Sequence, residues 1–97
     1  MNDQPIPNTV TAPGIEAKIL REEFISPESI PHLTSCVLVL TNGFAVTGEA
    51  APADPANFDA DYGRQLARAD AIRKIWPFEG YLTREKLFKA DMDFVDF

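Results

Sequence analysis

Cysteine, histidine and tryptophan occur once each in the 97 residues, methionine and tyrosine twice, and glycine five times. A lone cysteine, Cys36, excludes an intramolecular disulfide and a multi-cysteine zinc site, and it fits a reducing compartment. The single histidine, His32, has no His/Cys/Glu spacing around it that suits zinc. Bases are scarce: nine Lys and Arg against fifteen Asp and Glu leave a formal charge of −6, which argues against general affinity for duplex DNA or RNA. There is no run of about 18 apolar residues and no basic segment leading into an apolar one, so the chain is expected neither to cross a membrane nor to be exported. The length allows one domain. Such a chain buries only about 60–65% of its unfolded surface, so a lone core is marginal and self-association would help it.

The charge that is present is unevenly placed. Residues 22–61 carry seven acids and no Lys or Arg, whereas residues 64–89 carry seven bases against three acids. A chain of net negative charge can still hold a small anion if the bases from Arg64 to Lys74 line a pocket. The competing reading is a solvated helix face balanced by acids elsewhere.

Residues 1–10 hold Pro5, Pro7, Asn2 and Asn8 without apolar periodicity, which reads as a flexible arm. A single α+β domain is expected over 11–90, and an acidic, aromatic tail over 91–97. A short helix is expected after Thr11, a suitable cap with Pro13 in its first turn. Ile15 and Ile19, and then Glu22 and Glu23, continue at helical spacing, although Ile15, Ala17 and Ile19 also alternate as a strand would. Ser26 to His32, with Pro27 and Pro31, reads as a connector.

The clearest local signal follows. Residues 33–40, Leu-Thr-Ser-Cys-Val-Leu-Val-Leu, and residues 44–48, Phe-Ala-Val-Thr-Gly, flank Asn42-Gly43. Asn-Gly between two β-prone runs predicts a hairpin over about 33–50, because a type I′ turn needs positive φ at both central residues. A two-residue loop would set Thr41 opposite Phe44 and Val39 opposite Val46. The first run is apolar on both faces, which predicts a strand between two layers.

Two C-terminal helices are expected, over about 59–76 and 77–90, split at Trp76-Pro77 because the residue before proline resists the α conformation. Tyr62, Leu66, Ala69, Ile72 and Trp76 form the expected core stripe of the first helix. Ala67, Ala71 and Ile75 form a second, narrow stripe for a neighbouring helix or another subunit, making a homo-oligomer the expectation.

Several chemistries are weak on the residues alone. Cys36 lies inside an apolar strand, where a thiol acts as a small hydrophobe, so a Cys36–His32 nucleophile pair is disfavoured. Acidic neighbours such as Asp59/Asp61 and Glu22/Glu23 do not face each other on a helix. No Gly-rich run ends in Lys-Ser/Thr, so there is no phosphate loop. The remaining constellation is Asn57-Phe58-Asp59 leading into Arg64, Arg68, Arg73 and Lys74. A helix N-terminus offers N–H groups to an anion, Asn and Asp can read a base edge or ribose hydroxyls, and an aromatic can stack. On the residues alone, Asn57 and Asp59 are more often plain caps than ligand contacts.

Cys36-Val-Leu-Val-Leu40, Asn42-Gly43-Phe44, Pro55-x-Asn-Phe-Asp59, Gly63-Arg64, Ala67-Arg68 and Ile75-Trp-Pro77 with Glu79-Gly-Tyr81 together resemble the phage gene-product 49/66 family, small proteins of tailed phages and prophages. The likeness runs from about Ile15 to Leu87. The Pro-x-Asn-x-Asp segment before a basic helix also looks like that of the first Tad class of Thoeris anti-defence proteins, which sequester cyclic nucleotide-like immune signals without cleaving them. That resemblance implies a phage-encoded, non-catalytic homo-oligomer in the cytoplasm of an infected bacterium, holding a small phosphorylated nucleotide between subunits and needing no cofactor or metal. It implies Asn57 and Asp59 as polar readers, Phe44 or Phe58 as the stacking ring, and Arg64, Arg68, Arg73 and Lys74 as phosphate contacts. The alternative is a factor that binds and inhibits a host protein through the acidic aromatic tail (Asp91, Asp93, Phe94, Asp96, Phe97).

Overall fold

The structure, a computed structural model, describes residues 7–93. It is an α+β arrangement: helix α1 (Ala12–Lys18), strands β1 (Ile19–Ile25), β2 (Thr34–Leu40) and β3 (Ala45–Ala50), a 3₁₀ turn at Pro55–Asn57, and the long helix α2 (Ala60–Asp93). The strands form one antiparallel sheet in the order β1-β2-β3. One face of that sheet packs on α2.

Helix α1 starts where the cap predicts. The Thr11 side chain accepts the Gly14 N–H at 3.1 Å, with Pro13 in the first turn. The helix ends after seven residues, and the chain turns directly into β1. The helical reading of Ile19 to Glu23 is therefore corrected to strand. The physical reason is tertiary: Arg21-Glu22-Glu23 has no apolar alternation of its own, and β1 exists by pairing with β2, Glu22 opposite Leu38 and Phe24 opposite Cys36.

The β2–β3 hairpin forms, but its loop has three residues. Gly43 donates its N–H to the Leu40 carbonyl at 2.9 Å, Leu40 donates to the Phe44 carbonyl at 2.7 Å, and Gly43 carries φ +87°. This is a turn closed by a glycine bulge rather than a two-residue type I′ loop. The Asn42 side chain takes the Phe44 N–H at 3.0 Å, which fixes the longer loop. Val39 therefore faces Ala45, and Val46 faces Leu38, not the predicted Val39–Val46 pair. Such a one-residue shift decides which side chains point inward. It turns Val46 and Gly48 toward α2.

Cys36, Leu38 and Leu40 of β2 are buried under α2 with Ile15, Val46, Ala67, Ala71 and Ile75. Val37 and Val39, on the other face, are half-buried, and no element of the described residues forms a second layer over them. The expected two-layer burial of β2 is thus one-sided among the described residues.

The stripe that α2 turns to the sheet is the narrow one. Ala67, Ala71 and Ile75 are fully buried, whereas Tyr62, Leu66 and Trp76 stay 58%, 44% and 40% exposed. The cause lies in β3. A Cβ built on Gly48 would collide with the backbone oxygen of Ala67 and nitrogen of Ala71, and would lie 2.9 Å from the Ala71 Cα. Only a glycine on the strand and alanines on the helix allow this approach. Polar side chains of α2 then close the free edge of β3: Asp70 accepts the Glu49 N–H at 3.0 Å, and Lys74 donates to the Thr47 carbonyl at 2.5 Å.

The two expected C-terminal helices are one. Helix α2 runs 34 residues through Pro77. Proline removes one backbone bond and crowds the preceding turn. Here it sits on an exposed position, where water can solvate the freed carbonyl. Contacts downstream hold the following turn: Phe78 meets Phe44 edge to face with ring centroids 5.2 Å apart, and Glu79 lies 3.9 Å from the Lys18 Nζ. Val10 packs against the core. The flexible-arm expectation for residues 1–6, and the tail expectation for residues 94–97, lie outside the described residues; residues 91–93 continue α2.

Candidate functional site

Two successive caps build the corner at Asn57-Phe58-Asp59. Asp54 caps the 3₁₀ turn by accepting the Ala56 N–H at 3.0 Å, and the Phe58 N–H closes the turn on the Pro55 carbonyl at 3.1 Å. One residue later, Asp59 caps α2, taking the Tyr62 N–H on Oδ1 at 3.1 Å while its carbonyl accepts the Gly63 N–H at 2.8 Å. Asn57 is held between the caps, and among the described residues no hydrogen bond engages its carboxamide. Gly63 lets the first turn of α2 sit close to β2, since a Cβ there would lie 3.0 Å from the Thr34 Oγ1.

This corner borders a cavity of about 260 Å³. Its lining is mostly apolar, with Ala50, Pro52, Phe58, Tyr62 and Leu66 around the polar groups of Asn57 and Asp59. Phe58 and Tyr62 bring aromatic rings to it. Sequence reasoning assigned Tyr62 and Leu66 to the core; their i, i+4 spacing just inside the Asp59 cap was the signal that they share the side of the corner.

The predicted phosphate contacts do not line this cavity. Each is engaged by an acid or a carbonyl. Arg64 pairs with Asp61. Arg68 makes a two-pronged contact to Glu16, both bonds 2.7 Å, and a third bond of 2.7 Å to Glu22. Arg73 bonds Asp70 at 2.6 Å, and Lys74 reaches the Thr47 carbonyl and lies 3.9 Å from Glu49. Arg64 and Arg68 share a separate hollow with Phe24 and Gln65. Phe44 and Lys74 share another, beside Phe78. Phe44 sits against Phe78, midway along α2: at about 1.5 Å per residue, the helix from Asp59 to Phe78 covers roughly 28 Å. Within one chain, Phe58 rather than Phe44 accompanies Asn57 and Asp59.

The electrostatics follow these pairings. The Arg68 guanidinium bonded to Glu16 holds that carboxyl below the usual range, and the two glutamates raise Arg68 further. Asp70 is lowered first by the Glu49 N–H and then by Arg73. Desolvation pushes the Cys36 thiol up, so it behaves as a buried hydrophobe. Among the described residues no group of three or more His, Cys, Asp and Glu is placed to hold a metal ion. No described helix is long and apolar enough to cross a membrane.

Comparison with curated proteins and with solved structures gives no match. The family comparison does: residues 10–87 match the phage protein (N4 Gp49/phage Sf6 gene 66) family. That span includes the hairpin, the capped corner and α2 as far as Leu87, and the chain belongs to this family.

Proposed function

We propose that this phage protein acts without catalysis, binding and sequestering a small cyclic nucleotide-type immune signal in the cytoplasm of the infected bacterium. The observation that supports this reading is the cavity at the Asn57-Phe58-Asp59 corner, where an unengaged carboxamide and a half-engaged carboxylate border an apolar slot with two aromatic rings. Flat apolar walls with hydrogen-bonding groups at one edge suit a heteroaromatic base. They do not suit a phosphate, because no Lys or Arg among the described residues lines the slot. In this reading the ring enters the slot, and the phosphates meet Arg or Lys side chains of a neighbouring subunit in a homo-oligomer.

The test is a titration, by calorimetry and thermal shift, with cyclic dinucleotides, cyclic trinucleotides and cyclic ADP-ribose isomers. A ligand present at 100 times its Kd stabilises by about 2.7 kcal/mol, a rise of several degrees. Heat release of the bound complex should return the ligand chemically unchanged. Asn57→Ala should abolish the shift while leaving the unliganded melting temperature in place. Absence of binding by every one of these ligands refutes the reading. The exposed apolar surface of α2 favours a second one, inhibition of a host protein. That reading requires a stoichiometric complex with a defined host protein, lost when an exposed α2 aromatic such as Tyr81 is replaced by Ser.

A further inference from the structure

Asp70 and Lys74 close the free edge of β3 at Glu49 and Thr47 and leave it open at Ala45. Opposing residues of an antiparallel pair alternate between bonded and unbonded. Leu40 bonds Phe44, so Val46 and Gly48 turn their backbone groups to β2, and Ala45, Thr47 and Glu49 turn theirs to the outer edge. Helix α2 takes two of the outward groups, the Thr47 carbonyl through Lys74 and the Glu49 N–H through Asp70. Among the described residues nothing bonds the Ala45 N–H, the Ala45 carbonyl or the Thr47 N–H. These three groups border a hollow of about 460 Å³ between β3 and α2, lined by Phe44, Val46, Lys74, Pro77 and Phe78.

We propose that this hollow takes the C-terminus of a partner polypeptide, laid parallel to β3 as one more strand and ending in an apolar residue with a free carboxylate. Three observations select that occupant. The first is the spacing of the open groups. In a parallel pair, one residue donates to the carbonyl and accepts from the N–H of two residues that flank its opposite number on the next strand. A last residue opposite Val46 therefore donates to the Ala45 carbonyl and accepts from the Thr47 N–H, and the residue two before it accepts from the Ala45 N–H. The groups left open are the ones such a strand uses, and a small ring acid cannot reach all three.

The second observation is the position of the one base. A lysine ammonium carries three donors, and the Thr47 carbonyl takes one of them at 2.5 Å. Glu49 lies 3.9 Å from the Lys74 Nζ, beyond hydrogen-bond distance, so donors remain for a carboxylate. The added strand cannot run on, because the Thr47 carbonyl and the Glu49 N–H are already engaged. It has to end where Lys74 waits.

The third observation is the lining. A side chain opposite Val46 points to the α2 side of the sheet, as Val46 does, beside Pro77 and Phe78; the one two residues earlier lies by Phe44. The Phe44 and Phe78 rings meet at 73° with centroids 5.2 Å apart, so both positions favour apolar side chains, with pockets for alternate residues setting specificity. Residues 94–97 of the same chain do not reach the hollow: α2 carries Asp93 about 22 Å beyond Phe78, and four residues span at most about 14 Å. The site is distinct from the Asn57-Phe58-Asp59 corner, and its test uses no nucleotide.

The experiment is an NMR titration of the full chain with the peptide acetyl-Gly-Ser-Leu-Ser-Phe, once with a free carboxylate and once as the C-terminal amide, on the wild type and on Lys74→Gln. Glutamine keeps a donor for the Thr47 carbonyl and removes the charge. The acid peptide should shift the Ala45 and Thr47 amides and the Phe44 and Phe78 ring signals, and it should slow hydrogen exchange at both amides. Amidation should weaken binding to the wild type at least about tenfold, through loss of a hydrogen bond between charged groups. Lys74→Gln should bind the two peptides alike, and Glu49→Gln should bind the acid peptide more tightly, because a competing carboxylate is gone. Equal binding of acid and amide by the wild type overturns the inference, as does no binding, or binding that leaves the Ala45 and Thr47 amides unmoved. So does 3-phenylpropionate bound as tightly as the peptide, which makes the ligand a small acid. Binding that appears only once residues 94–97 are removed overturns it too, since the hollow then belongs to the tail of a second copy.

Discussion

Replacing Gly48 by alanine adds one methyl group to the centre of an edge strand, a change that costs little in most sheets. Here the methyl would fall on the backbone of Ala67 and Ala71 rather than on the tip of a movable side chain. Restoring van der Waals distance requires the helix to retreat by on the order of 1 Å, because backbone cannot rotate away. The retreat stretches the Asp70 bond to the Glu49 N–H and the Lys74 bond to the Thr47 carbonyl, and it loosens the core that Ile75 shares with β2. Overpacking a core costs typically about 1–3 kcal/mol, and more where the structure cannot yield. A loss of about 3 kcal/mol is therefore expected. At roughly 4–8 °C per kcal/mol for a domain of this size, the melting temperature should fall by about 12–24 °C. The assay is thermal and urea unfolding at one fixed protein concentration, repeated at a tenfold lower one to expose any contribution of self-association. Gly80→Ala is the internal control. A Cβ at Gly80 meets nothing within 4 Å, and alanine is favoured over glycine in a helix by about 1 kcal/mol, so this variant should melt about 4–8 °C higher. If Gly48→Ala lies within 1 kcal/mol of the wild type, the close approach of α2 to β3 is wrong, and the inward placement of the small-residue stripe goes with it.

Arg68→Met removes three bonds that tie α1 and β1 to α2; with both carboxylates half-exposed, the expected cost is about 1 kcal/mol at neutral pH. Its pH dependence carries more information. Glu16 is lowered in the folded state, so its stabilising contribution is complete above its usual value near 4.5 and is lost as pH falls through the lower folded-state value. The wild type should therefore lose more stability than Arg68→Met on acidification below about pH 4.5, and parallel curves would refute the pairing. Asp59→Ala should cost about 1 kcal/mol through loss of the α2 cap, whereas Asn57→Ala, which breaks no hydrogen bond, should melt with the wild type. Equal losses in the two variants would show that Asn57 has a structural role, and the slot would lose its unengaged reader.

Local chemistry made parts of this protein legible. The caps at Thr11, Asp54 and Asp59 announced their helices, because a side-chain acceptor next to free N–H groups acts within three residues. The hairpin was legible from Asn42-Gly43, but its register was not: whether the loop holds two or three residues depended on the Asn42 side chain taking the Phe44 amide. β1 was illegible, since Arg21-Glu22-Glu23 becomes a strand only through β2. At the candidate site the sequence picked out Asn57, Phe58 and Asp59 and missed Tyr62 and Leu66, which amphipathic spacing assigned to the core. It grouped Arg64, Arg68, Arg73, Lys74 and Phe44 with the corner because they are near in sequence or similar in chemistry. The fold distributes them along and around α2, and each base meets an acid or a carbonyl first.

By itself, then, the sequence determined the α+β composition, the family and the capped corner, all of which rest on contacts a few residues apart or on patterns of residue type. The tertiary structure decided which of two apolar stripes faces the sheet, and it did so through one missing side chain. A helix with alternative faces takes the orientation that the opposing surface permits, and at Gly48 that surface admits a backbone carrying only alanines. The same choice carries α2 through Pro77, because burial upstream and the Phe44–Phe78 contact downstream outweigh a local preference to break.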